Sequence, residues 1–316
     1  MHCLVTGAAG FIGSHLCERL LALGHSVVGL DAFIPYYPRS FKEANLACLR
    51  SRSGFTFQEL DLRTDKLDDA LCQIEAVFHL GAMAGLAKSW TEFDLYQSCN
   101  LTATQRLLEA VRAERAAGKS KVTRFVHAST SSVYGRFATG DETLPTRPIS
   151  PYGVTKLAAE NLCRCFADEF GIPAVVLRYF SVYGPRQRPD MGYFQFIDAM
   201  LKGAPITVFG DGNQVRGNTY IGDCVEATIA AAGAPVGETY NLGGGETASV
   251  WEILGKLEKI LGRKAIVRTG AARAGDQRST FADTSKLRRH LGWEARTPLD
   301  EGLARQVEWQ KALAAT

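Results

Sequence analysis

The N-terminal 31 residues, MHCLVTGAAGFIGSHLCERLLALGHSVVGLD, determine the predicted fold class. A short apolar run near Cys3–Thr6 is typical of a buried β-strand, and a glycine-rich turn follows it directly. Apolar residues then recur with helical spacing near Ile12–Leu23, before a second apolar run near Ser26–Leu30. This order of strand, helix and strand is the βαβ pattern of a parallel sheet.

The turn after the first strand has the glycine spacing of a dinucleotide-binding site. Gly7 allows a sharp turn, Gly10 leaves room for a pyrophosphate beside the backbone, and Gly13 lets the helix pack closely on the strand. Free amide groups at the helix start, around Phe11 and Ile12, would donate to the phosphates. We therefore predict that these five residues bind a dinucleotide.

The end of the second predicted strand indicates which dinucleotide is bound. Asp31 stands 18 residues after Gly13. An acidic residue at about this distance binds the ribose 2′-hydroxyl and repels a 2′-phosphate. The sequence therefore predicts NAD, rather than NADP, as the cofactor.

The alternation of strands and helices continues along the first ~180 residues. Further strands are predicted near Thr56–Glu59, Ala76–His79, Arg124–Ala128 and Ala174–Arg178, and further helices near Phe41–Leu49, Leu95–Ala116 and Tyr152–Phe170. We predict an α/β fold with a doubly wound parallel sheet, a Rossmann domain, over residues 1–180. Residues 181–316 are predicted to form a smaller α/β substrate-binding domain, some segments of which return to the sheet.

Composition excludes several functional classes. A net charge of +3 without a basic block argues against nucleic acid as a partner. No segment approaches the ~20 apolar residues of a membrane span, so we predict no membrane partner and a cytoplasmic location. The eight cysteines form no Cys-x-x-Cys pair and have no histidine at zinc-site spacing, which predicts free thiols and no metal site.

Two groups of polar residues point to a catalytic site. Tyr152 and Lys156 lie four residues apart at the start of a predicted helix, so their side chains share one face. A nearby ammonium group would lower the pKa of Tyr152 and let it act as a general base. The hydroxyl cluster Ser129–Ser132 ends the fifth predicted strand, where ligands bind in open α/β sheets. We predict Tyr152, Lys156 and Thr130 as catalytic residues.

Taken together, the motifs resemble those of the extended short-chain dehydrogenases/reductases, in the branch that modifies nucleotide sugars. The similarity covers nearly the whole chain and rests on Gly7–Gly13, Asp61-Leu62, His79–Ala82, Asn100, Ser129–Gly135, Tyr152 with Lys156, Arg178–Gly184 and Phe209–Arg216. This resemblance implies that Lys156 also holds the nicotinamide ribose. It further implies a set of cofactor-site residues, namely Asp61 and Leu62 at the adenine, Leu80, Gly81 and Ala82 along the cofactor path, and Asn100 and Tyr179.

Within this branch, the hydroxyl cluster narrows the reaction. Where this chain has Thr130-Ser131-Ser132, the dehydratases of the family have a motif that resembles Thr-Asp-Glu. The decarboxylases of the family usually carry Glu at the position of Ser132. Because both acids are missing, the remaining groups predict a 4-epimerase that moves a hydride out to NAD and back. Three alternatives stay open: an epimerase of a neutral UDP-hexose or UDP-N-acetylhexosamine, a decarboxylase or dehydratase, and a non-catalytic NAD or nucleotide sensor.

The substrate prediction also comes from resemblance. The stretch from Tyr179 to Met191 resembles that of UDP-glucuronate 4-epimerases. The planar fork of Arg188 suits a carboxylate, with Ser181 completing its recognition. The further substrate-site candidates are Ser131 and Ser132, Lys88 for a carboxylate or phosphate, and Arg216 and Arg278 for the diphosphate. The predicted substrate is therefore a UDP-hexuronic acid.

The chain departs from the family pattern at Arg216-Gly217-Asn218, where related chains usually have Arg-Asp-aromatic. We expect a helix-capping or loop-fixing contact to be lost there. The resemblance also implies a homodimer, joined through the helices near Leu95–Ala116 and Tyr152–Phe170.

Overall fold

A computed structural model describes residues 1–272 and 274–314 of the chain. The strands are β1 His2–Thr6, β2 Ser26–Asp31, β3 Phe55–Glu59, β4 Ala76–His79, β5 Arg124–Thr130, β6 Phe137–Gly140, β7 Ala174–Tyr179, β8 Val182–Tyr183, β9 Ile206–Phe209, β10 Val215–Gly217, β11 Thr219–Tyr220, β12 Thr239–Leu242, β13 Thr247–Ser249, β14 Val267–Gly270 and β15 Ser279–Ala282. The helices are α1 Phe11–Ala22, α2 Arg39–Arg50, α3 Asp68–Leu71, α4 Phe93–Gln97, α5 Ala103–Ala116, α6 Pro151–Phe170, α7 Gly192–Lys202, α8 Ile221–Ala230, α9 Val250–Leu261, α10 Ser285–Leu291 and α11 Leu299–Ala314.

The centre of the fold is a seven-stranded parallel sheet in the order β12-β7-β5-β4-β1-β2-β3. Helices cover both faces, because successive strand residues point to opposite sides. In β1, Val5 packs into the core that contains α1 and α8, whereas Leu4 packs into the core that contains α5 and α6. The predicted doubly wound α/β sheet is confirmed.

A π-helical turn at Ser98–Thr102 lies between α4 and α5, inside the stretch predicted as one helix. The buried side chain of Asn100 explains why the π-helical turn lies at this point of the chain. Its amide accepts a hydrogen bond from the backbone of Met83 (2.7 Å) and donates to the Met83 carbonyl (2.9 Å) and to Thr155 (3.0 Å). These bonds hold the segment after β4 against α6. Local widening of the helix is a common way to present such a side chain.

The C-terminal part adds smaller sheets beside the carboxyl ends of the central strands. One has the order β13-β10-β15-β6, and the pairs β8–β11 and β9–β14 complete the set. Strand β12 joins the edge of the central sheet through β7. None of the described helices is long and apolar enough to cross a membrane. All eight cysteines are free in this structure, and five of them are buried.

Candidate active site

A cavity of about 900 Å³ follows the carboxyl edge of the central sheet. It brings together all but two of the residues predicted to bind cofactor or substrate or to act in catalysis. Those that line it are Gly7, Gly10, Phe11, Ile12, Gly13, Asp31, Asp61, Leu62, Leu80, Gly81, Ala82, Lys88, Thr130, Ser131, Ser132, Tyr152, Lys156, Tyr179, Ser181, Arg188 and Arg216. The cavity therefore joins the dinucleotide motif and the Tyr152–Lys156 pair in one site.

At one end of the cavity, the glycine-rich turn forms a cradle that a side chain would fill. Gly7 has φ +72°, and a Cβ atom on Gly13 would lie 2.1 Å from the Gly7 carbonyl oxygen. Helix α1 starts after Gly10, and no side chain caps its first turn. Its amide groups are therefore free to donate to a diphosphate. These features fit a bound dinucleotide.

Two acidic side chains line the adenosine end of the cavity. Asp31 ends β2, and its Oδ1 accepts hydrogen bonds from the Phe33 backbone (2.8 Å) and from Lys42 Nζ (3.0 Å). The guanidinium of Arg63 forms an ion pair with Asp61 at 2.7 Å, which lowers the pKa of that carboxyl. A carboxylate held in place at the end of β2 fits the 2′-hydroxyl of NAD.

Helix α6 is positioned by its first turn. Ser150 caps it by accepting a hydrogen bond from the Gly153 amide (3.1 Å), and Pro151 occupies the first turn. A Cβ atom on Gly153 would lie 2.7 Å from the Ser132 carbonyl oxygen, so only glycine allows the helix to approach the hydroxyl turn this closely. This contact brings Tyr152 to Thr130.

Burial has the largest influence on the pKa values of both Tyr152 and Lys156. Burial raises the pKa of Tyr152, while its hydrogen bond with Thr130 and the positive charge of Arg188 act in the opposite direction. Burial also lowers the pKa of Lys156 to about 8. The net shift of the Tyr152 pKa is therefore upward, because desolvation outweighs the groups that lower it, and the lowering by Lys156 stays a prediction.

The hydroxyl groups of the turn have defined partners. Thr130 Oγ1 accepts a hydrogen bond from the Ser132 amide (3.2 Å), which leaves its own proton for the Tyr152 oxygen. The Ser131 hydroxyl donates to Gln277 Oε1 (3.3 Å). Gln277 Nε2 in turn donates to the carbonyls of Ser131 (3.2 Å) and Gly135 (2.8 Å). Gln277 thus clamps both ends of the turn, a role that no local sequence pattern indicated.

A buried ion pair fixes the other side of α6. Glu160 follows Lys156 by one helical turn and forms a bidentate ion pair with Arg178 of β7, at 2.8 Å in its shorter arm. The Ser129 hydroxyl donates to the same carboxylate. Arg178 also donates to the Tyr134 hydroxyl (2.8 Å). These contacts tie the catalytic helix to β5 and β7, and sequence reasoning missed them.

Two predicted residues do not line the cavity. Asn100 holds the π-helical turn, as described above, and lies behind the cavity wall. Arg278 forms an exposed bidentate ion pair with Asp211 at 2.7 and 2.8 Å. Its guanidinium group is thereby held at the surface, so Arg278 is not part of the site in this structure.

At the departure Arg216-Gly217-Asn218, Gly217 has no side chain to make the contact expected from the family's Asp, and Asn218 fixes the loop in another way. The buried Asn218 amide donates to the Arg216 carbonyl (3.0 Å) and to the Glu246 carbonyl (3.1 Å). It also accepts a hydrogen bond from the Tyr193 hydroxyl. Asparagine therefore fixes the loop through three bonds, and Arg216 remains in the cavity wall.

Known proteins resemble this chain both in sequence and in architecture. Residues 3–243 match the NAD dependent epimerase/dehydratase family. The chain belongs to this family. It is 45% identical, over 99% of both chains, to a Bacillus subtilis protein named as an uncharacterized UDP-glucose epimerase. It is 38% identical to the UDP-glucuronate 4-epimerase of Thermodesulfobacterium geofontis, over 98% of this chain and 95% of that one.

A solved structure of the family has the same architecture. The UDP-glucuronic acid 4-epimerase of Bacillus cereus, in complex with UDP-glucuronic acid and NAD, superposes with a TM-score of 0.94. It is 43% identical and covers 99% of this chain and 100% of its own. The resemblance to the nucleotide-sugar branch of the extended short-chain dehydrogenases/reductases and the prediction of an NAD-dependent enzyme are confirmed.

Proposed function

We propose that this protein is an NAD-dependent 4-epimerase that interconverts UDP-glucuronate and UDP-galacturonate through a transient 4-keto sugar. The observation that carries the proposal is the position of Tyr152. Its hydroxyl lies beside Thr130, in the cavity that also contains the dinucleotide cradle. The glycine-rich turn and Asp31 would hold NAD there, which would supply the hydride-transfer chemistry needed at carbon 4.

The residues of the chain move the proton. The phenolate of Tyr152, stabilised by a hydrogen bond that the Thr130 hydroxyl donates, takes the proton of the sugar 4-hydroxyl and becomes the neutral phenol. The keto sugar then turns about its diphosphate linkage and presents its other face. Tyr152 returns the proton from the same position, so the reaction needs no second acid.

The hydroxyl turn supports epimerisation over elimination. Ser131 and Ser132 occupy positions where a carboxylic acid and a carboxylate would be needed to remove water across carbons 5 and 6. The Ser131 hydroxyl already donates to Gln277. Neither serine can serve as a general acid or base near neutral pH.

Positive charge supports a hexuronate substrate. Lys88 and Arg188 line the cavity together with Ser181 and Ser132. The 4-keto form of a hexuronate is a β-keto acid, which loses carbon dioxide easily. Firm binding of the carboxylate would keep it in place until the hydride returns.

The direct test is to incubate the purified protein with UDP-glucuronate, with and without added NAD, and to identify the products by NMR. UDP-galacturonate is the expected product, and Tyr152→Phe should abolish its formation. Formation of UDP-xylose or a 4-keto pentose would contradict the proposal. The name of the Bacillus subtilis relative favours UDP-glucose as a second substrate, so turnover of UDP-glucose with none of UDP-glucuronate would replace the hexuronate assignment.

The proposal includes a homodimer and a reducing compartment. The predicted interface uses the helices near Leu95–Ala116 and Tyr152–Phe170, and the apolar side chains of Val154 and Phe170 on the second of them are 49% and 48% exposed. A second copy packed on these helices would cover part of this surface. Analytical ultracentrifugation should give twice the chain mass of 34.4 kDa, and the mass of a single chain would contradict the homodimer.

The eight free thiols fit a reducing compartment such as the cytoplasm.

A further inference from the structure

The ring of Tyr36 joins the two cations that sequence analysis proposed separately for the substrate carboxylate. Lys88 Nζ lies 4.5 Å from the ring centroid, and the guanidinium carbon of Arg188 lies 5.6 Å from it. The three residues come from three different segments, after β2, after β4 and after β8. All three line the cavity.

The position of Tyr36 is fixed by its own contacts. Its carbonyl oxygen accepts a hydrogen bond from Lys88 Nζ (3.4 Å), and its hydroxyl lies near that of Tyr96, which donates to the Ala84 carbonyl (3.0 Å). Gly85 has φ +101°, and a Cβ atom there would lie 2.4 Å from the Tyr36 hydroxyl. The ring of Tyr96 packs edge-on against that of Tyr152, with 6.2 Å between centroids. Tyr36 is therefore built into the same wall as the catalytic tyrosine.

The two cations differ in how their charge is balanced. Arg188 forms a bidentate ion pair with Asp190, at 2.9 and 2.8 Å. Lys88 has no acidic partner within 4 Å among residues 1–272 and 274–314. The group of Lys88, Arg188 and Asp190 thus carries one net positive charge, which matches one carboxylate.

An aromatic ring suits this task better than an acid would. A carboxylate next to Lys88 would hold the ammonium group but would cancel its charge. A tyrosine ring attracts the cation through its quadrupole and leaves the full charge available to a ligand. The ring also limits the rotamers of a long, exposed side chain, which reduces the entropy lost when an anion binds.

We propose that Tyr36 determines the preference for an anionic sugar by holding Lys88 and Arg188 beside the substrate carboxylate. This inference rests on the proposed function, because it concerns the sugar end of the same site. Tyr36 acts through the two cations and is a positioning residue.

The test measures binding without turnover, in Tyr152→Phe protein loaded with NAD. Calorimetry gives the dissociation constants of UDP-glucuronate and UDP-glucose. Tyr36→Leu should weaken the binding of UDP-glucuronate roughly tenfold and that of UDP-glucose less than about threefold, because only the former loses organised cations. Tyr36→Phe keeps the ring and should retain the preference. Phe137→Leu, at a 57% exposed aromatic on β6, is the matched control and should change neither constant.

Several outcomes would overturn the proposal. Equal weakening of both ligands by Tyr36→Leu would mean that the ring supports the cavity generally. Loss of preference in Tyr36→Phe would assign the role to the hydroxyl and Tyr96 instead. If Tyr36→Leu does not fold, as judged by circular dichroism and NAD loading, Lys88→Met must show the same selective loss. A parent protein without preference for UDP-glucuronate would contradict the proposed function, whereas a preference that survives Tyr36→Leu and Lys88→Met would refute only the role of Tyr36.

Discussion

We expect Lys156, which is predicted to be catalytic, to lower the free energy of unfolding because it is buried. The variant Lys156→Met should therefore be more stable than the wild-type protein. The side chain is 3% exposed, and its ammonium group forms no ion pair within the described part of the chain. Burial lowers its pKa from an ordinary value of 10.5 to about 8. That difference corresponds to about 3 kcal/mol in the free energy of unfolding at pH 7. Methionine has a similar length and carries no charge, so it should remove this cost.

The effect has a defined dependence on pH. Below about pH 8 the lysine is charged in both the folded and the unfolded protein, so the full cost is present. Between about 8 and 10.5 the unfolded chain binds the extra proton, and the wild-type protein gains stability as the pH rises. The advantage of Lys156→Met should therefore be largest at pH 7 and shrink above pH 8.

Urea unfolding of NAD-free protein at pH 7 and pH 9.5 measures the difference directly. Lys259→Met, at an exposed lysine of α9, is the matched control and should change stability by less than about 0.5 kcal/mol. Epimerase turnover should fall at least about 100-fold in Lys156→Met and stay unchanged in the control. Equal stability of Lys156→Met and wild type at pH 7, or a difference that does not change with pH, would refute the reasoning.

Three further changes probe the rest of the cavity. Gly13→Ala places a Cβ atom 2.1 Å from the Gly7 carbonyl oxygen and should weaken NAD binding at least about 100-fold, as measured by fluorescence titration. The control Gly255→Ala, in open space on α9, should leave NAD binding intact. Lys42 lies 3.0 Å from the Asp31 carboxylate, and Asp31→Ala frees it to bind a 2′-phosphate. The ratio of NADP affinity to NAD affinity should therefore rise, and an unchanged ratio would count against Asp31 as the residue that selects NAD. Gln277→Leu removes three hydrogen bonds to the hydroxyl turn and should lower kcat about tenfold with a smaller change in KM. An effect on KM alone would argue against the idea that Gln277 positions the turn for catalysis.

Much of the cavity could be predicted because its motifs are local. The turn from Gly7 to Gly13 and the pair Tyr152 and Lys156 lie within a few residues of one another along the chain. Their geometry follows from one turn or one helix, whatever the rest of the fold does. The placement of Asp31 needs only the rule that parallel strands end at one edge of the sheet.

Other parts of the site depend on distant segments and could not be predicted. Gln277 meets Ser131, 146 residues away in the chain, through two side-chain hydrogen bonds. Arg278 pairs with Asp211, 67 residues away in the chain, and its predicted role at the diphosphate stays a prediction. Asn218 replaces an expected contact with different bonds, because an amide can both donate and accept.

The parallel sheet, the dinucleotide turn and the Tyr152–Lys156 pair follow from local patterns in the amino-acid sequence, because hydrophobic periodicity and short spacings act within one element or between consecutive ones. The meeting of Lys88 and Arg188 at the ring of Tyr36 became visible in the folded chain alone, as did the ion pair of Glu160 and Arg178 that anchors the catalytic helix. The physical reason is that these contacts depend on the order of strands in the sheet and on where each loop crosses its edge. Long-range packing sets both, and no local pattern encodes it.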